Sequence, residues 1–312
     1  MRPATPAFVV AVAACLAGAI VTGCSGPATG VPARARHHAP PASYYLALGD
    51  SLSQGVQPNA TGTSVKTPDG YASQLYAVLR HRDPGLRLTD LGCPGETTAT
   101  MIHGGTCSYG GRSQLAAAVS FLRAHRSHVL LITLDIGAND PNSCVTHPSL
   151  LKVMPCLGKA AMGTSANLTT IMTALRPAAG HARIIGMNYY LPELAEWRNG
   201  FTGQAVARVA ELAAVGYNDL LTRIYQRSGA RIADVFGAFH TTDFANDVTV
   251  PGYGRLPRNV AAICQWTWQC AAPPRGPNQH ANQAGYAVIA HAFQLAGAAV
   301  TDPALGRRSG TE

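Results

Sequence analysis

Short strand-like runs alternate with longer segments of helical spacing between residues 44 and 295, and this alternation constrains the fold more than any other feature. The runs are 44–48, 86–91, 129–136, 183–189 and 231–235. The segment 129–136 is apolar apart from Thr133 and Asp135, which predicts a central strand buried on both faces. Helical spacing occupies 70–82, where Tyr71, Leu75, Val78 and Leu79 share a face, and again 113–124, 159–175, 204–227 and 281–295. Ser113 is placed to cap the second of these. The connecting segments 54–69, 141–158 and 240–275 read as loops, the last irregular and holding Trp266 and Trp268. Strands alternating with helices build a parallel sheet covered on both faces. The expected architecture is therefore α/β: one three-layer αβα sandwich around a flavodoxin-like, five-stranded parallel sheet.

The chain of 312 residues is 47% hydrophobic and 13% charged, enough apolar material for one large core. Its net charge of +8 comes mostly from arginine, the lysines being Lys66, Lys152 and Lys159. Apart from Arg34, Arg36, His37 and His38 the basic residues are scattered. No basic stripe with interleaved aromatics appears, so nucleic acid is not an expected partner.

The N-terminus reads as a targeting segment. Arg2 precedes an apolar run over 8–21, which ends in Val21-Thr22-Gly23-Cys24. That ending resembles a bacterial lipobox, in which the cysteine is lipidated and becomes the mature N-terminus. Residues 1–24 are thus expected to direct export, with Cys24 anchoring a membrane-bound lipoprotein. The competing reading is an ordinary secretory signal that leaves a soluble, secreted protein. Residues 25–42, rich in Pro, Ala and Gly, form the expected tether. The folded domain is expected over 43–300, with a frayed tail at 301–312 and a monomer as the default state.

Six cysteines lie beyond the N-terminal segment, and an even number in an exported chain reads as disulfides. The sequential pairing Cys93–Cys107, Cys144–Cys156 and Cys264–Cys270 closes short local loops and is favoured among the possible connectivities. A zinc site would need tight Cys/His spacings such as C-x-x-C, and none is present. Neither a metal nor another cofactor is expected.

Three loops follow expected strands: Gly49-Asp50-Ser51-Leu52-Ser53, Gly95-Glu96-Thr97 and Gly137-Ala138-Asn139-Asp140. A fourth segment, Asn278-Gln279-His280, precedes the last helix. In open α/β sheets, ligands bind beyond the carboxyl ends of the strands, and a parallel sheet brings the first three loops to that edge. In this order the four segments resemble the blocks of the SGNH (GDSL) hydrolase family, named for a Ser, Gly, Asn and His that map onto Ser51, Gly95, Asn139 and His280. The likeness spans most of 43–297. The stretch Gly92-Cys93-Pro94-Gly95-Glu96-Thr97 and the late cysteines are especially similar to secreted actinobacterial lipases and esterases of that family. The resemblance implies the SGNH hydrolase fold, ester hydrolysis and short-spaced disulfides.

The chemistry follows from residue types. A serine hydroxyl attacks an ester carbonyl, and a histidine takes its proton and later returns it to the leaving alcohol. The tetrahedral oxyanion needs aimed donors, here the Ser51 N–H, the Gly95 N–H and the Asn139 amide. Asp50 is expected to be a structural hydrogen-bond acceptor at the strand end. Family members usually carry an acid three residues before the histidine, but that position is Pro277. The expectation is a Ser51–His280 dyad supported by a backbone carbonyl, that of Pro277, unless Asp243 or Asp247 reaches the imidazole. The substrate is then a small-molecule or lipid ester. A thioesterase or a cell-envelope carbohydrate deacetylase would use the same residues. A surface lipoprotein with a decayed site is the alternative from a different class.

Overall fold

Residues 42–144 and 150–298 are described in this computed structural model. The expected signal segment 1–24 with Cys24, the tether as far as residue 41 and the tail 301–312 lie outside the described residues.

In β1 (Ser43–Gly49), Tyr45 to Leu48 are fully buried, the pattern of a strand covered on both sides. A loop containing the two-residue ladder β2 (Gln57–Pro58) and β3 (Ser64–Val65) leads to α1 (Tyr71–Arg82). Next come β4 (Leu86–Asp90), the short α2 (Thr98–His103), α3 (Gln114–Ala124) and β5 (Val129–Asp135). Ser113 caps α3 by accepting the Ala116 N–H at 3.2 Å. The alternation continues through α4 (Leu150–Ala179), β6 (Arg183–Met187), a 3-10 segment (Pro192–Asn199), α5 (Gly200–Arg227), β7 (Arg231–Ala233) and α6 (Val235–Ala238). The chain then forms the hairpin β8 (Asp247–Val250) and β9 (Gly254–Pro257), followed by α7 (Arg258–Trp266). It closes with β10 (Thr267–Trp268), β11 (Asn278–Ala281) and α8 (Gln283–Ala298).

Five strands make one parallel sheet in the order β4-β1-β5-β6-β7. This is the doubly wound order expected, with its reversal between β1 and β5, where ligands bind in such sheets. α1 packs on α8, with Tyr71 stacked on Phe293 at 4.6 Å, while α3, α4 and α5 pack in succession as the second helical layer.

Two expectations of local structure are corrected. The segment 141–158 is not all loop, because α4 starts at Leu150 and runs through Pro155 and Pro177. An interior proline costs about 3 kcal/mol. Packing on α2, α3 and α5, together with the Cys144–Cys156 bond at its start, holds the helix against that cost. The segment 240–275 is not irregular throughout, since it contains β8, β9 and α7. α7 is only nine residues long, about two and a half turns, and its polar Asn259 is buried with the apolar residues as far as Cys264, so it offers too short a pattern to stand out from the surrounding loop. The three disulfides are Cys93–Cys107, Cys144–Cys156 and Cys264–Cys270, the sequential pairing.

Candidate active site

Ser51 sits where β1 gives way to a tight turn. Gly49 ends the strand at φ +135°, and a Cβ there would lie 2.1 Å from the Asp135 carbonyl oxygen, so only glycine lets β1 and β5 run this close. The Gly55 N–H donates to the Leu52 carbonyl at 3.2 Å and the Val56 N–H to the Ser51 carbonyl at 3.1 Å, closing the turn. Asp50 is the structural acceptor expected: its Oδ1 takes the Leu52 N–H at 3.0 Å.

A second buried carboxylate, Asp135 at the end of β5, supports the same turn. Its Oδ2 accepts the Asp50 N–H at 3.2 Å and the Ser53 N–H at 3.3 Å, and its Oδ1 accepts the Tyr71 hydroxyl at 2.5 Å. Burial raises the pKa of both Asp50 and Asp135, and for Asp135 the neighbouring Asp50 charge adds to the rise. Sequence reasoning gave Asp135 no role, although a carboxylate interrupting an apolar strand is the signal of a buried polar support.

His280 lies on β11, and its Nε2 is 3.0 Å from the Ser51 Oγ. β11 is held in place by pairing with β10 and by the Tyr190 hydroxyl, which donates to the Gln279 carbonyl at 2.9 Å. Just before it, a Cβ on Gly276 would sit 2.0 Å from the Ala271 carbonyl oxygen, so the approach to the strand also requires glycine. Burial disfavours the charged imidazole and pushes the His280 pKa down to about 4.

The expectation that the Pro277 carbonyl supports the ring is corrected. The Nδ1 partner is the Asn278 Oδ1, at 2.8 Å. Residues 278–281 are extended, so a carbonyl three residues back lies roughly 10 Å away along the strand, whereas side chains two apart share a face. Asp243 is engaged by Asn246 and Asp247 by Arg255, so neither supplies the carboxylate.

The loops after β4 and β5 are joined to each other. The Asn139 Nδ2 donates to the Glu96 carbonyl at 2.9 Å, and its Oδ1 accepts the Asn142 amide at 3.0 Å, which fixes the amide's orientation and leaves one amide proton uncommitted. Next to it, the Asp140 carboxylate accepts both the Thr98 N–H, at 3.0 Å, and the Thr98 hydroxyl. Gly95 holds φ +81°, and a Cβ there would meet no atom within 4 Å. Its glycine therefore serves the backbone conformation and keeps the space above it open. Among the described residues, neither the Ser51 N–H nor the Gly95 N–H has a protein acceptor. No group of three or more His, Cys, Asp or Glu side chains among the described residues is placed to hold a metal ion.

The model of the GDSL-like lipase/acylhydrolase family matches residues 47–288. The chain belongs to that family. Its members hydrolyse ester bonds, and Gly49-Asp50-Ser51-Leu52 spells the motif in this GDSL hydrolase. No curated protein matches it significantly. Among solved structures, the extracellular lipase of Streptomyces rimosus superposes with a TM-score of 0.54 at 18% identity, covering 82% of this chain and 100% of its own. Phospholipase A1 from Streptomyces albidoflavus NA297 gives 0.52 at 18% identity, with 82% and 99% covered. The acetylxylan esterase Axe2 of Geobacillus stearothermophilus gives 0.50 at 16%, with 82% and 94% covered. At these identities the likeness establishes that this GDSL hydrolase shares their fold.

Proposed function

We propose that this GDSL hydrolase is an exported serine carboxylesterase of the esterase/lipase type, with Ser51 as nucleophile and His280 as general base. The observation that carries the reading is the 3.0 Å contact between the Ser51 Oγ and the His280 Nε2 across 229 residues of sequence. Ser51 attacks the ester carbonyl as its proton moves to Nε2. The resulting oxyanion is met by the Ser51 N–H, the Gly95 N–H and the second proton of the Asn139 amide. Collapse expels the alcohol, which takes the proton from His280. Water then attacks the acyl-enzyme by the same route and releases the acid.

The substrate is a small-molecule or lipid ester. Export is supported by three disulfides, which persist in oxidising compartments. In this reading Cys24 carries the lipid that tethers a monomeric domain to the membrane surface. The test is hydrolysis of a graded series of nitrophenyl esters by wild type and Ser51→Ala. A fall in kcat to near background in the variant is expected, and unchanged activity overturns the nucleophile.

A further inference from the structure

The acid that usually supports such a histidine is replaced here by a neutral amide whose orientation the fold imposes. The Asn278 Oδ1 accepts the His280 backbone N–H at 3.0 Å, and its Nδ2 donates to the Ser64 hydroxyl on β3 at 3.1 Å. A backbone N–H can only donate, so the first bond requires the oxygen of the amide, not its nitrogen, to face His280, and the Ser64 hydroxyl accepts from the nitrogen on the other side. An oxygen 2.8 Å from Nδ1 can only accept, so Nδ1 carries the proton. Nε2 then presents its lone pair to the Ser51 hydroxyl, the one tautomer able to take that proton.

We propose that Asn278 is the positioning residue of the Ser51–His280 pair, selecting the Nδ1–H tautomer and fixing the ring plane with a side-chain amide in the role of the acid. The proposal rests on the hydrolytic reading only for its kinetic consequence; the tautomer stands on geometry alone. The hydrogen-bond partners of the ring nitrogens are neutral, the Asn278 amide and the Ser51 hydroxyl, and titratable side chains on neighbouring segments bond backbone groups instead. Asp50, behind Ser51, has one oxygen on the Leu52 N–H. The Tyr190 hydroxyl is on the Gln279 carbonyl and the Tyr286 hydroxyl on the Val56 carbonyl. Among the described residues no carboxylate bonds either ring nitrogen.

An amide and a carboxylate differ in one consequential way. Both orient the ring, but the carboxylate, with its full negative charge, stabilises the imidazolium far more. Asn278→Asp therefore keeps the geometry and adds a charge, while Asn278→Ala removes both bonds to His280.

The experiment is nitrogen-15 NMR of the histidine side chains in the full-length protein, with steady-state ester hydrolysis on the same samples. In wild type at neutral pH, His280 is expected as the Nδ1–H tautomer. In Asn278→Asp its pKa rises by roughly one to three pH units, as beside any opposite charge, and the acid limb of kcat/KM moves up with it. In Asn278→Ala, kcat falls by up to about 10²-fold through misplacement of the base, with KM little changed. A wild-type Nε2–H tautomer, or an Asn278→Ala variant with unaltered tautomer, pKa and kcat, overturns the proposal. The wild-type spectrum requires no variant to fold. It also remains decisive if Ser51→Ala proves that the hydrolytic reading is wrong.

Discussion

Gln114 pairs with the backbone of Gly49 as a neighbouring strand would. Its Oε1 accepts the Gly49 N–H at 2.8 Å and its Nε2 donates to the Gly49 carbonyl at 2.9 Å. The register with β4 ends at Ala47, opposite Asp90, so on that side of β1 the side chain from α3 takes the Gly49 N–H and shares its carbonyl with the Cys93 N–H. The same Nε2 lies 3.2 Å from the Glu96 Oε2, next to Gly95. One buried amide thus connects the turn of Ser51 to the turn of Gly95.

Gln114→Ala is expected to destabilise the fold by about 1–3 kcal/mol, the cost of leaving a buried N–H such as that of Gly49 unsatisfied. Because it releases two loops of the site together, kcat/KM should fall as well. Denaturant unfolding and ester kinetics on one preparation check this. A stable variant with wild-type kinetics would show that the clasp is dispensable.

Asn139→Ala removes the amide whose uncommitted proton the proposed mechanism directs at the oxyanion. A reduction in kcat of about 10²–10³-fold is expected, the usual consequence of deleting one oxyanion donor. Gly95→Ala acts differently. Its Cβ meets nothing, yet φ +81° costs a non-glycine residue about 1–2 kcal/mol. A modest loss of thermal stability is expected, with kcat/KM falling as the N–H turns away.

The acid limb of kcat/KM should lie near pH 4, because burial holds His280 at about that pKa with no carboxylate to raise it. Below it the ring is protonated and cannot take the serine proton, so activity falls as pH falls through 4. The same group also affects stability. The unfolded chain binds this proton more readily than the folded one, so its contribution is full above about pH 6.5 and is lost towards pH 4. A pH–rate profile with its acid limb near 6.5 contradicts the expectation.

Cys93→Ser with Cys107→Ser opens a loop of sequence separation 14, for which chain entropy gives roughly 3 kcal/mol. Gly95 lies two residues from Cys93, so this pair should reduce kcat/KM as well as Tm. Opening Cys264–Cys270, which closes a shorter separation of 6, is expected to act mainly on Tm. Thermal scans and kinetics of the two double variants give the comparison.

The sheet was legible in the chain because buried parallel strands are near-continuous apolar runs between helical segments. All five strands appear where those runs lie, within a residue or two at each end, with β1 and β5 side by side. The segments holding Ser51, Gly95, Asn139 and His280 stood out for another reason: in this order they resemble the blocks of the SGNH family, three of them after parallel strands and the fourth, on β11, before the last helix. The start of α4 and the whole of α7 were not legible, because a proline interrupts the one and the other, at nine residues, is too short for its period to stand out.

Sequence alone therefore determined the layer architecture and the cysteine pairing by proximity, and its resemblance to a family named the residues proposed for the site. Tertiary structure decided what supports them. Gln114 on Gly49, Asp135 under the Ser51 turn and Asn278 on His280 are bonds whose worth depends on angle and burial, and neither is encoded in spacing. The partner of the imidazole is the clearest case. Position 277 stands where the family carries an acid, but an extended strand turns the side chain two residues away, not the carbonyl three away, towards the ring.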